Sequence, residues 1–147
     1  MKVYKNPVPT VDAIIQKSSS LLLVKRQNYP FKNQFALPGG FVNEGETIED
    51  AIVREVYEET SLEVHPIDIL GVYSDPTRDP RGHIMTVVFI VLVIRGIPTA
   101  GDDAHETSWI PINKIDEIEI AFDHKLLIHD YLKWKKEGGT YWTSKKR

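Results

Sequence analysis

Three glutamates, Glu55, Glu58 and Glu59, crowd a stretch whose pattern predicts a helix over residues 47–60. Thr47, with Asp50 three positions on, forms an N-terminal capping pair. Ile48, Ala51, Ile52 and Val56 mark a stripe that must face a core. At about 100° per residue, Glu55 and Glu59 fall within roughly 20° of Ile48, and Glu58 lies beside them next to Ala51. An acidic helix face is ordinarily a solvated one. Here that reading would send carboxylates outward and core residues inward from one side of one helix. Burying several carboxylates together without compensation costs several kcal/mol or forces protonation. A divalent cation removes the conflict. Clustered anionic oxygen donors suit hard Mg²⁺ or Mn²⁺ rather than zinc, and Mg²⁺ stays open to water and to substrate phosphates.

The segment resembles the Nudix signature, G-x5-E-x7-R-E-U-x-E-E-x-G-U with U aliphatic. Gly40, Glu46, Arg54, Glu55, Val56, Glu58, Glu59 and Leu62 stand at those spacings, and Ser61 replaces the family's second glycine. That position falls just past the helix, where a left-handed backbone is expected; serine reaches it at a cost of about 1 kcal/mol. The resemblance implies that Glu55, Glu58 and Glu59 ligate the metal, with the Gly39 carbonyl as a further ligand. It implies that Arg54 pairs with Glu46 or Glu55 and fixes that carboxylate's rotamer. An ordinary helix-surface ion pair is the plainer alternative for Arg54. The implied reaction is attack of water on a diphosphate phosphorus, with metal on the oxygens and a carboxylate accepting the proton. Glu59 ranks first as base or ligand, and Asp103, six residues before Trp109, ranks second. The implied catalytic set is therefore Arg54, Glu58, Glu59 and Asp103.

Selectivity must come from outside this box. Residues 71–83, with Asp79-Pro80-Arg81-Gly82, and Gly101-Asp102-Asp103-Ala104 followed by Glu106 and Trp109, resemble the ADP-ribose pyrophosphatase branch of the family. Prolines pre-set the loop backbone, and Arg78 and Arg81 offer planar donors to phosphate or ribose oxygens. A solvated turn before a long strand is the alternative. Arg26 ends a strand leading to the glycine-rich turn, where relatives carry a phosphate-binding arginine. Phe31 and Phe35 are candidates to sandwich an adenine, though aromatics beside a strand are more often core. The implied substrate is ADP-ribose, cleaved to AMP and ribose 5-phosphate. The alternatives are hydrolysis of nucleoside triphosphates or dinucleoside polyphosphates, and an ADP-ribose sensor without turnover.

These residues need a frame. Strand character runs over residues 10–15, 21–26, 34–37, 62–73 (broken at Pro66), 83–94 and 107–110, with loops at 74–82 and 96–104. A second helix is expected over residues 123–137, with Asp123 as N-cap and Gly138 just past its end. Strands dominate and helices can cover both faces. The expectation is an α/β fold, a Nudix-type α/β/α sandwich around a mixed β-sheet, in a single domain over residues 1–147. Tyr141 and Trp142 are left as a strap onto the domain or onto a second subunit.

The chain has 147 residues, 41% hydrophobic and 27% charged, as a soluble globular protein would. A net charge of −3 gives no case for nucleic acid or an anionic membrane, so an anionic substrate needs metal or local arginines. The absence of cysteine excludes disulfides and thiolate chemistry. The five histidines lack zinc-ligand spacing and read as surface or satisfied residues. No signal peptide or bilayer-length apolar run is visible, so a cytoplasmic location is expected. The expected partner is a small nucleotide, and the resemblance implies a homodimer.

Overall fold

The computed structural model describes residues 1–99 and 104–147. The chain runs β1 (Val8–Lys17), β2 (Ser20–Arg26), β3 (Phe35–Ala36), β4 (Gly39–Phe41), α1 (Ile48–Thr60), β5 (Glu63–Tyr73) and β6 (Ile84–Arg95). It continues through β7 (Ala104–Pro111), a 3-10 helix (Ile112–Glu117), α2 (His124–Glu137) and β8 (Tyr141–Trp142). Strand order is β3-β2-β1-β6-β5-β8, with β4 also paired to β1 and β7 to β2. The β1–β6 and β5–β8 pairs are parallel and the other pairs antiparallel, so the sheet is mixed as expected.

Period-two alternation sends neighbouring side chains to opposite faces. Ile14, Leu21, Leu23, Val88 and Ile90 pack with Leu127, Ile128 and Tyr131 of α2. Their neighbours Ala13, Ile15, Leu22, Phe89 and Val91 pack with Ala51, Ile52 and Val56 of α1. Each fully buried aliphatic of this kind contributes about 1.5–3 kcal/mol of transfer free energy. The two clusters make the sandwich, and they fix α1 against the sheet.

Both ends of α1 are held as the sequence suggests. Thr47 Oγ1 accepts from the Asp50 N–H at 3.1 Å. Ser61 takes the left-handed conformation at φ 65°, and its N–H donates to the Tyr57 carbonyl at 2.9 Å. Serine thus meets the requirement that a glycine would meet without strain.

Three expectations change, and one pair of alternatives is decided. Gly39–Phe41 is a strand against β1, not only a turn, because the missing side chains allow close approach. Pro66 does not break β5; the β5–β6 register shifts between Pro66 and Asp68, where the absent N–H is tolerated. Asp123 makes no side-chain cap on α2, because its carboxylate accepts a two-point pairing from Arg78 instead. Tyr141–Trp142 straps onto this domain as β8, parallel to β5. There Thr143 Oγ1 accepts from the N–H groups of Ser74 and Asp75, at 2.9 and 3.3 Å. Arg147 forks onto the buried Asp130 carboxylate, which also accepts from Tyr73. The strap therefore anchors the start of the 74–83 loop. Among the described residues, no helix is long and apolar enough to cross a membrane.

Candidate active site

A cavity of about 310 Å³ opens where α1, β4 and β1 meet the loops before β3 and before β6. Helical spacing of four puts Glu55 and Glu59 on its wall together. β4 brings backbone up to them. The Gly39 N–H donates to Glu59 Oε2 at 3.3 Å. A Cβ on Gly40 would lie 2.5 Å from Glu55 Cδ, so only glycine leaves that carboxylate its place.

Arg54 ties Glu46, Glu55 and Glu58 into one unit. Its Nε and Nη2 fork onto Glu46 at 2.7 and 2.8 Å, and Nη1 reaches Glu55 at 2.7 Å and Glu58 at 3.2 Å. Nη2 also donates to the Phe41 carbonyl at 3.0 Å, joining the helix to β4. Glu46 and Glu55 were alternatives as Arg54's partner, and both are bound. The Arg54 fork and then the Asn43 N–H pull the Glu46 carboxyl from its usual 4.5 down to about 2. The pairing with Glu46, ahead of that with Glu55, raises Arg54 above its usual range despite partial burial.

That shift carries a sign. Glu46 titrates lower in the folded state than in the unfolded state, so its stabilisation is complete above pH 4.5 and is lost as pH falls towards about 2. Wild type is expected to melt above Glu46→Gln at pH 5–7, roughly the optimum for such pairs, with the gap closing through the acid window. Thermal melts at stepped pH check this; a gap independent of pH would contradict it.

The floor of the pocket holds a polar network that sequence reading missed. Asp12, on β1, accepts from Thr86 Oγ1 at 2.6 Å. The Leu37 N–H donates to His124 Nδ1 at 3.0 Å, which leaves the proton of the neutral ring on Nε2, 3.7 Å from Asp12 Oδ2. Burial depresses the His124 pKa, outweighing the pull of Asp12 and Asp123. A lone acid inside the apolar run Val11–Ile15 was the available signal for Asp12. His124 carried no such signal, because only the fold brings it to Leu37.

A model of the NUDIX domain matches residues 6–131. The chain belongs to the Nudix family. It is 52% identical over 134 residues to ADP-ribose pyrophosphatase of Methanocaldococcus jannaschii, covering 91% of this chain and 78% of that protein. Its structure is similar to the NUDIX domain of Shewanella oneidensis NrtR complexed with ADP ribose, at 28% identity and TM-score 0.79, covering 88% of this chain and 89% of that one. It is also similar to a bifunctional NMN adenylyltransferase/ADP ribose pyrophosphatase of Francisella tularensis complexed with AMP and a Mn ion, at 29% identity and TM-score 0.75. That alignment covers 92% of this chain and 43% of the bifunctional protein.

Within this Nudix fold the expected site residues divide. Gly39, Glu55 and Glu59 line the pocket, as do Arg26, Arg78 and Arg81. Glu58 does not; it is half exposed and held by Arg54. Arg78 is buried, with Nε and Nη2 on Asp123 and Nη1 on the Ile84 carbonyl, so its donors brace the wall. Burial opposes the Arg78 charge, and the Asp123 pairing more than restores it. Phe35 is a correction. Its ring packs against the α2-side core, with Lys25 Nζ 5.7 Å from its centre, and it is absent from the pocket wall. The aromatics that do line the pocket are Tyr29, Phe41 and Phe122. Asp103 lies outside the described residues.

Glu55 and Glu59 fit a hard divalent cation in kind. Mg²⁺ is commonly held by one or two carboxylates, with waters and substrate phosphates completing its shell. Among the described residues no three acidic or imidazole side chains close round one point.

Proposed function

We propose that this Nudix protein hydrolyses the diphosphate of ADP-ribose to AMP and ribose 5-phosphate, using Mg²⁺ or Mn²⁺. The observation carrying this reading is the convergence of Glu55, Glu59, Arg26 and Arg81 on one pocket. Carboxylates on one wall suit a cation, and guanidiniums elsewhere on the wall suit the anionic diphosphate and its hydroxyl-rich attachment. The 52% identity to an ADP-ribose pyrophosphatase supports the substrate.

Glu55, Glu59 and the Gly39 carbonyl would hold the ion, with Glu58 joining only if it leaves Arg54. When bound, the ion would neutralise charge at the diphosphate oxygens. Arg54 Nη1 donates to Glu55 Oε1 at 2.7 Å and fixes that carboxylate in direction. Glu59, where it does not ligate the ion, is the first candidate to accept the proton of the attacking water in this reading, with Asp103 as the second. Turnover of ADP-ribose with added Mg²⁺, followed as AMP released, tests the proposal. A second reading, binding without turnover, draws on one observation: the Shewanella domain is in complex with ADP ribose. The same assay separates the two.

Arg81 gives a test of selectivity. It pairs with Asp79 at 2.8 Å and lies over the Phe41 ring at 5.2 Å, which holds it on the pocket wall. Arg81→Ala is expected to raise KM for ADP-ribose by about tenfold to a hundredfold, the effect of losing a charge-assisted contact of about 1.5–3 kcal/mol. A plain nucleoside diphosphate should lose less. Equal losses would make Arg81 a general phosphate contact.

A further inference from the structure

Phe122 stands apart from the rest of the pocket wall. Its backbone is left-handed at φ 56°, a conformation that bulky residues rarely adopt. Its neighbours enforce that conformation. The Ala121 N–H donates to the Phe35 carbonyl at 2.8 Å, and the His124 ring is fixed by the Leu37 N–H at 3.0 Å. Local strain held by surrounding structure in this way is a mark of functional positions. Core packing does not explain it, since Phe122 belongs to neither core cluster.

The strain places a ring among cations. Arg26 lies over the Phe122 ring, 4.9 Å from its centre, and Arg81 lies 5.8 Å from the same centre. Phe31, itself left-handed at φ 59°, meets the ring edge-on at 4.9 Å. The electron-rich face of a ring attracts guanidiniums and offsets their mutual repulsion. Arg26 and Arg81 come from distant parts of the chain, and both meet the Phe122 ring. Each also has a local tether: Arg26 Nε donates to the Pro30 carbonyl at 2.6 Å, and Arg81 pairs with Asp79.

We propose that Phe122 is a positioning residue for substrate recognition, its ring coupling Arg26 and Arg81 into one anion-gripping unit on the pocket wall. This rests on the ADP-ribose reading above. The ring touches no reacting atom in this role, so its removal should loosen binding and spare the chemical step. A strained backbone is then retained because a relaxed one would carry the ring away from one arginine or the other.

The test is a double-mutant cycle on ADP-ribose hydrolysis, with thermal melts on every variant. Phe122→Leu keeps apolar bulk and removes the π face. It is expected to raise KM about tenfold, the scale of one or two partly desolvated cation–π contacts, with kcat within about threefold. Phe122→Tyr, which keeps the face, should restore KM. In an Arg81→Ala background, Phe122→Leu should raise KM by less than about half as many fold as in wild type, because the pair acts as a unit. Should Phe122→Leu fail to fold, Phe122→Met gives the same comparison. Unchanged KM in a folded variant, additive effects, or failure of Tyr to rescue would each overturn the proposal. If wild type binds ADP-ribose without cleaving it, the hydrolysis reading fails and the cycle is read on Kd. A wild type that neither binds nor cleaves ADP-ribose overturns both proposals.

Discussion

Replacing Glu59 by glutamine is expected to lower kcat about a thousandfold or more, with the protein still folded. The change keeps the size of the side chain and an oxygen to accept from Gly39, whose N–H reaches Glu59 Oε2 at 3.3 Å. It removes the negative charge from the pocket wall. A thousandfold corresponds to about 4 kcal/mol of transition-state free energy, within the several kcal/mol expected of charge neutralisation at phosphoryl oxygens. Glu55→Gln should fall in the same class, because Glu55 shares the wall and orders Arg54 at 2.7 Å. Glu58→Gln should cost no more than about tenfold, since Glu58 is half exposed and outside the pocket. Single-turnover and steady-state rates on purified, melt-tested variants check the ranking. Near wild-type kcat in both Glu59→Gln and Glu55→Gln would make the helix carboxylates structural only.

The second large effect is steric. Gly39→Ala would put a Cβ 2.8 Å from Asp12 Cα and closer still to the Val11 carbonyl oxygen. Both are backbone of β1, at the centre of the sheet, and neither can move without parting β1 from β4 or β6. The expected loss is about 3 kcal/mol or more, near the top of the range for overpacking. For a chain of this size that is a fall in Tm of about 10 °C. For Gly40→Ala the three nearest atoms all belong to the Glu55 side chain, which can shift where backbone cannot. It should keep most of its stability and lose activity. Thermal melts beside rate measurements separate the two variants, and equal Tm values would contradict the contrast.

Sequence reasoning reached the parts of the molecule set by local spacing. The helix over residues 47–60 follows from Thr47, the Ile48–Val56 stripe and Ser61, and the structure places all three as expected. The convergence of Glu55 and Glu59 follows from a spacing of four. What spacing could not supply was any contact across the fold. Asp123 looked like a helix cap because nothing in the sequence says that Arg78, 45 residues away, will reach it. Glu58 looked equivalent to Glu55 and Glu59, and spacing does not say that its half-exposed carboxylate accepts from Arg54, its i,i+4 partner. Phe35 and Phe122 are both aromatics near turns; only the backbone decides which ring enters the core and which enters the pocket. The glycine pair Gly39-Gly40 was legible as a turn, but its closeness to β1 and to Glu55 is a tertiary fact. The Asp12–His124 floor joins residues 112 positions apart in sequence, and it is legible only after folding.

We propose that cleavage of ADP-ribose at its diphosphate by this protein depends on a divalent metal. The most direct measurement incubates the purified protein with ADP-ribose and Mg²⁺ and quantifies AMP and ribose 5-phosphate together. The predicted result is release of the two products in equal amounts, abolished by EDTA while the circular dichroism spectrum stays unchanged, and restored by added Mg²⁺ or Mn²⁺. Intact ADP-ribose after prolonged incubation, or full product release in EDTA with metal removal verified, would contradict it.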